Sequence, residues 1–181
     1  MKRLVLFVVC ISILVGCKVN EGMDAALALR ASVLQASQCT FSAVITADYG
    51  DMTYSFAMDC VADEKGNVTF TVTAPQTIAG ITGVISTDGG KLTFDDVALA
   101  IPLLTDDQIT PVSAPWILMR TLRGGYISSC GKDGLIIDDS YADDALRLHI
   151  TLNDASLPDA AEVYWKTRKI LTIEVENFTL S

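Results

Sequence analysis

The chain is predicted to be α+β and mostly antiparallel β: a curved half-barrel sheet covered on its concave face by two or more helices. Three observations carry that expectation. Apolar and polar residues alternate at a period of two through most of residues 39–180, the pattern of strands with one buried face. Breaks rich in glycine, asparagine and aspartate separate the alternating runs, as hairpin turns require. Helical spacing is confined to one segment ahead of the strands and one among them, so helices are available to cover one face of a continuous meander.

Residues 1–16 have the layout of an export signal. Lys2 and Arg3 give a positive start, and Gly16 is the small residue at the cleavage position. Between them Leu4 to Val15 form an apolar run, too short to cross a bilayer core of about 30 Å. Leu14-Val15-Gly16-Cys17 resembles the processing box of bacterial lipoproteins, which implies a diacylglyceryl thioether on Cys17 and cleavage before it. Each buried methylene contributes about 0.8 kcal/mol, so two acyl chains hold stably where one is marginal. Residues 17–22 then form a lipidated tether and residues 23–181 a single domain. The expected location is the cell membrane, lipid-anchored on its extracytoplasmic face.

Removing residues 1–16 from 181 leaves 165, enough for one domain with its own core. Two of the 13 basic residues leave with that segment, so 11 face 22 acidic residues, a net −11. An acidic body argues against nucleic acid and against electrostatic docking on anionic lipid. The membrane partnership therefore falls to the lipid on Cys17.

Residues 23–37 are alanine- and leucine-rich and read as one amphipathic helix, with Leu27, Ala31 and Leu34 on one face and Ala26, Arg30 and Ser37 displaced from it. Two strands follow around Asp48-Tyr49-Gly50-Asp51. Phe41, Ala43, Ile45 and Ala47 alternate in the first; Met52, Tyr54, Phe56, Met58 and Cys60 alternate in the second. Opposed residues of an antiparallel pair share a face, so the odd set opposes the even set and paired positions add to an odd number. A four-residue loop makes that number 99 and sets Cys39 opposite Cys60; a two-residue loop at Gly50-Asp51 makes it 101 and offsets them diagonally. Both registers leave the two cysteines on one face.

Residues 63–67 read as a turn, and Val68, Phe70 and Val72 as a strand ended by Pro75. Ile78 to Thr87 forms the next strand, Asp88-Gly89-Gly90 a tight loop, and Lys91 to Phe94 with Val97, Leu99 and Ile101 the return. Residues 113–123 carry an N-terminal serine, an early proline and late arginines, and Gly124-Gly125 ends this second helix. Strands near 126–130, 134–140, 144–152, 160–166 and 169–180 complete the chain.

Export places Cys39, Cys60 and Cys130 where disulfides persist. A Cys39–Cys60 bridge is the preferred pairing, with two buried free thiols as the alternative. Cys130 is then the thiol left for an intermolecular bond and a homodimer. Neither Cys-x-x-Cys spacing nor a second histidine is present, so no metal and no cofactor is expected.

The layout of an N-terminal helix, a run of hairpins, Pro75 leading into a strand, the Asp88-Gly89-Gly90-Lys91-Leu92 turn, a second helix and the closing Val175-Glu176-Asn177-Phe178-Thr179-Leu180 resembles the outer-membrane lipoprotein carrier and receptor superfamily. That superfamily also holds mycobacterial lipid-binding lipoproteins and clostridial germination lipoproteins, and the group from single-membrane bacteria is the nearest in style. The resemblance covers residues 23–181 and implies a half-open barrel closed by helices over an apolar cavity. Carrier members are soluble, so Cys17 departs from their pattern.

What the resemblance implies is binding, of a hydrophobic acyl or lipid ligand in the cavity or of another exported protein on the sheet. Carried onto this chain, the cavity residues are Phe41, Tyr54, Phe56, Phe70, Phe94, Trp116, Met119 and Leu122. The same pattern also describes strands simply packed against a helix.

His149 alternates with Leu148 and Ile150 and so shares a polar face with Arg147 and Thr151. No nucleophile–base–acid set accompanies it, no catalytic residue is named, and the chain is read as non-enzymatic. Asp138, Asp139, Asp143 and Asp144 flank Ser140-Tyr141-Ala142 as a solvated hairpin tip. Cells fed a fatty-acid probe are expected to label the protein, and Cys17→Ala is expected to lose both the label and retention in the membrane fraction. A product that stays unlabelled, and that Cys17→Ala releases no faster, contradicts the anchor.

Overall fold

Alternation sorts each strand into a buried and a solvated face, and the computed structural model shows where those faces go. It describes residues 21–95, 97–101, 104–105, 108–131, 134–142 and 145–181. Residues 1–20, which hold the expected signal segment and Cys17, lie outside the described residues. In chain order come α1 (Glu21–Gln35), β1 (Gln38–Asp48), β2 (Thr53–Asp63), β3 (Val68–Ala74), β4 (Thr82–Ser86), β5 (Gly89–Phe94) and β6 (Val97–Ile101). The two-residue strands β7 (Leu104–Thr105) and β8 (Gln108–Ile109), a 3-10 turn at Pro111–Ser113 and α2 (Ala114–Gly124) follow. The chain ends with β9 (Tyr126–Gly131), β10 (Gly134–Asp138), β11 (Leu146–Leu152), β12 (Pro158–Trp165) and β13 (Arg168–Leu180).

Eleven of these strands form one open antiparallel sheet in the order β6-β5-β4-β3-β2-β1-β13-β12-β11-β10-β9. Both helices pack against it, which is the expected α+β, mostly β layout. Residues 39, 41, 43, 45 and 47 of β1 are buried without exception, and Met58, Cys60 and Ala62 of β2 join them. Paired positions of β1 and β2 add to 101, with Phe41 opposite Cys60 and Cys39 opposite Ala62. The turn closes around Gly50-Asp51 by a 3.0 Å bond from the Tyr49 N–H to the Met52 carbonyl.

On its other side β1 pairs with β13, and the register shifts between Thr40 and Ser42. Asn177 takes a φ of 54° opposite that break. The bulge reverses the parity of β13, so Val175 and Phe178 both face inward. Phe178 then stacks on Phe41 with ring centroids 5.5 Å apart.

Helix α1 buries a different face from the one expected. Ala26, Leu29 and Val33 enter the core, while Leu27 and Leu34 are 49% and 51% exposed. The spacing of the buried set is still helical; alanine on every side leaves the choice of face to a polar contact. Arg30, one turn beyond Ala26, donates to the Leu122 carbonyl at 2.9 Å and the Gly125 carbonyl at 2.7 Å. Those bonds satisfy carbonyls at the end of α2. Burial lowers the Arg30 pKa from its ordinary value.

Residues 78–81 are not strand. The Pro75 carbonyl accepts from the N–H groups of Ile78 and Ala79, and Gly80 turns the chain with a φ of 90°. That conformation is open to glycine at low cost, so β4 starts only at Thr82. In β4, Gly83 lies under the Phe70 ring: a Cβ there would stand 2.5 Å from Phe70 Cζ and 2.9 Å from the Lys91 carbonyl oxygen. Gly83→Ala is expected to lower the unfolding free energy by about 1–3 kcal/mol through this overlap. In a Phe70→Leu background the loss should be smaller, because the two sites share the contact. Urea titrations of the four proteins test this, and an equal loss in both backgrounds denies the contact.

Candidate functional site

The turns β1–β2, β10–β11 and β12–β13 meet at one end of the sheet, as their registers require: Asp138 pairs with Arg147, Leu146 with Trp165, Trp165 with Arg168, and Leu171 with Ala47. Helix α2 begins over this end. Ser113, Trp116, Ile117 and Arg120 recur at helical spacing, and all four line a cleft of about 840 Å³ between the helix and the turns. Its apolar wall continues through Ile109, Leu146, Ile170 and Leu171, and its rim carries Trp165, Lys166 and Arg168. That volume lies within the range of small-molecule sites, about 300–1,000 Å³.

Two aromatic groups frame the opening. Trp116 is buried, with the Arg120 guanidinium 5.2 Å from its ring centroid, and Lys166 Nζ stands 4.9 Å from the Trp165 ring. Both are cation–π distances. Tyr49 donates its hydroxyl to the Ile109 carbonyl at 3.3 Å. Burial first, and then the neighbouring Tyr54, push its phenol pKa up, so Tyr49 remains a neutral donor.

Among the described residues three cations and two carboxylates line the cleft, against the acidity of the whole chain. Arg120 stands 3.9 Å from Asp139, and Arg168 stands 3.9 Å from the Asp48 carboxylate while donating to the Asp48 carbonyl at 3.1 Å. These carboxylate distances are long for direct hydrogen bonds. Asp139 is also engaged elsewhere, accepting from the Leu146 N–H at 2.9 Å. Beside this cleft a smaller one of about 480 Å³ shares Ser140, Ala145, Lys166 and Thr167 with it.

Of the eight residues expected to line a cavity, Trp116 lines this cleft. Phe41, Phe70, Met119 and Leu122 are buried in the packed core. Phe56 is half-buried against the core, and Tyr54 is exposed and bonded to Met52 Sδ at 3.2 Å. Phe94 is 48% exposed on the inward side of β5, next to the edge strand β6, where Val97 is 70% exposed. Alternation located the inward faces; it carried no signal for Lys166 and Thr167, which form a turn, or for Arg168, which opens β13.

Cys39, Cys60 and Cys130 are free thiols. The register adding to 101 makes Cys39 and Cys60 diagonal neighbours. Diagonal Cα atoms lie about 7–8 Å apart, beyond the usual span of a disulfide, about 4.4–6.8 Å. The preferred bridge thus gives way to the alternative, two buried thiols packed as small apolar groups. Burial pushes both pKa values up, with Asp59 adding to the effect at Cys60 and Arg123 opposing it at Cys39. Cys130 is half-buried on the edge strand β9, and a Cβ at Gly22 of α1 would lie 3.5 Å from its Sγ.

His149 sits on the outer face, its ring 4.6 Å from that of Tyr164 and its position opposite Glu162. Glu162 is engaged by Lys169 at 2.8 Å and by the Tyr164 hydroxyl at 2.8 Å, and the Lys169 contact leads in holding its pKa down. Asp138 is bonded to Arg147 at 2.7 and 3.3 Å. Asp143 and Asp144 lie outside the described residues. Among the described residues no group of three or more His, Cys, Asp or Glu side chains could hold a metal ion, and no helix is long and apolar enough to cross a membrane.

No protein-family model matches the chain, and no curated protein matches its sequence. Solved structures do match in shape. A DUF1329 family protein from Desulfovibrio piger shares 11% identity at a TM-score of 0.43, over 90% of this chain and 93% of that one. A LolA superfamily protein from Nitrosomonas europaea shares 10% identity at 0.41, over 86% and 93%. The lipoprotein LppX of Mycobacterium tuberculosis shares 10% at 0.40, over 86% and 95%.

Thiol chemistry gives a direct check on these positions. In native, unreduced protein a maleimide should modify Cys130 well ahead of Cys39 and Cys60, and all three should react on unfolding. A raised folded-state thiol pKa stabilises the fold fully below the free value of 9.0 and loses that contribution as pH climbs from there toward the folded value. Stability should accordingly fall above that pH, and less so in Cys60→Ala. Peptide mapping that finds Cys39 joined to Cys60 overturns the free-thiol assignment.

Proposed function

We propose that this protein is a membrane-tethered, non-enzymatic lipoprotein that binds a hydrophobic ligand in the cleft beneath Trp116. The observation that carries the reading is the cleft itself: about 840 Å³ bounded by Trp116, Ile117, Ile109, Ile170 and Leu171. An apolar wall of this kind suits an acyl chain, each buried methylene contributing about 0.8 kcal/mol. The core around it is filled by Phe41, Phe70, Met119 and Leu122, so capacity for a ligand lies at the turn end of the sheet and not at its centre.

The lipid on Cys17, the extracytoplasmic location and kinship with the tethered members of the resembled superfamily belong to the same proposal. Gly22, the start of the described chain but for one residue, lies against Cys130. By strand register Cys130 is at the end of the sheet away from the cleft, paired with Leu135 while Tyr126 pairs with Asp138.

A second reading, docking of another exported protein with no bound ligand, is favoured by the sheet edge. Strand β6 ends the sheet with no further strand paired to it among the described residues, and Phe94 of β5 with Val97 and Leu99 of β6 are exposed on the inward side. Natural proteins blunt such edges unless something covers them. A homodimer through Cys130 belongs to this second reading.

Native mass spectrometry separates the two. Protein extracted from membranes is expected to carry lipid beyond the covalent anchor, and Ile170→Trp, which fills the cleft, is expected to carry less. A bare lipoprotein mass in both forms sinks the ligand reading and favours the docking one.

A further inference from the structure

Charge on the rim specifies the ligand more closely, and the inference rests on the cleft being a ligand site. Described cations elsewhere in the molecule are mostly committed: Arg30 and Arg123 to backbone carbonyls, Arg147 to Asp138, Lys169 to Glu162. Three others, Arg120, Lys166 and Arg168, gather on this one cleft, where Asp48 and Asp139 are the lining carboxylates among the described residues. Both carboxylates stand 3.9 Å from their arginines, so neither guanidinium is saturated by them. Among the described residues Lys166 has no carboxylate in salt-bridge range; its Nζ lies over Trp165.

In a chain with 22 acidic and 13 basic residues, the described residues thus set a cluster of three cations at the mouth of an apolar hole. Cations at the opening and hydrocarbon behind are complementary to a molecule with an acidic head and an apolar tail. The geometry points to an anionic amphiphile as the ligand, its carboxylate or phosphate held by Arg120, Lys166 and Arg168 and its chain running beneath Trp116 toward Ile117 and Leu171.

Both tryptophans of the chain, Trp116 and Trp165, line the cleft, so intrinsic emission reads the site directly. The full-length protein in phosphatidylcholine vesicles is titrated with decanoate, decyl phosphate, decanol and inorganic phosphate. Decanoate and decyl phosphate should shift the emission at concentrations about tenfold below decanol, since each solvent-facing ion pair adds a few-fold. Lys166→Asn, which tolerates the φ of 57° at that turn position, should remove part of that preference, read as the ratio of decanoate to decanol affinity within each protein. Lys166→Arg should keep it, and raised salt should weaken the acids alone.

Decanol binding as tightly as decanoate, with Lys166→Asn indistinguishable from the parent, overturns the headgroup inference and leaves the apolar cleft standing. Inorganic phosphate binding as tightly as decyl phosphate overturns it in favour of a free-anion site. If no probe binds, decanol included, the cleft is not a ligand site and the proposed function falls with it.

Discussion

Strand β1 is paired along its length on both sides, with β2 at paired positions adding to 101 and with β13 through a bulge at Thr40–Ser42. Cys39, Phe41, Ala43, Ile45 and Ala47 all point into the core, and their outward neighbours tie the outer face together. Thr40 meets Thr179 at 2.6 Å, Ser42 meets Asp59 at 2.8 Å and Thr46 meets Ser55 at 3.3 Å. A slip of one residue would send Ser42, Thr46 and Asp48 inward and five apolar residues to solvent. Large apolar side chains contribute about 1.5–3 kcal/mol each when fully buried, so no neighbouring register competes. The two halves of the sheet hang from this strand.

Once β1 is placed, the position of the cleft follows. Register carries the ends of β2, β10, β11, β12 and β13 to common heights, so three hairpin turns distant in sequence assemble at one end. Helix α2 is held over them by contacts made from elsewhere. Arg30 of α1 donates to the Leu122 and Gly125 carbonyls, and Arg123 donates to the carbonyls of Asp63 and Glu64 in the β2–β3 turn. These charge-assisted bonds fix the C-terminal end of α2. Its N-terminal turns, with Trp116 and Arg120, are left to roof the cleft.

How much of this was legible depended on the range of the interaction. Alternation is a local property, and Phe41 to Ala47 and Val68 to Val72 announced their inward faces outright. The register between β1 and β2 narrowed to two values, because turn geometry near Gly50-Asp51 was the remaining freedom. The face of α1 was missed because alanines surround it and its orientation is decided by Arg30 reaching carbonyls more than ninety residues away. The strand expected from Ile78 was shortened by hydrogen bonds to the Pro75 carbonyl. For the site, large inward aromatics were the natural candidates, yet Phe41 and Phe70 are the residues a well-packed core consumes first. Lys166 sits in a polar turn and Arg168 opens the strand after it, where nothing in the local pattern separates a rim from ordinary solvated loop.

The acidity of the chain and the cations of the cleft act over different distances. At physiological ionic strength the Debye length is about 8 Å, so carboxylates across the molecule are screened from a ligand already at the rim. The general negative potential would slow the approach of an anion, and this disfavours capture by long-range steering. For the proposed ligand, contacts formed at the mouth would then supply the discrimination. Arg120 is braced by the Trp116 ring, Lys166 by Trp165, and Arg168 by the Asp48 carbonyl, so each cation is positioned before a ligand arrives. Pre-positioned charges lose less side-chain entropy on binding. Under the proposed reading, an acidic surface with a braced cationic mouth would select by fit at short range, and bulk anions that lack an apolar chain would find little to hold them.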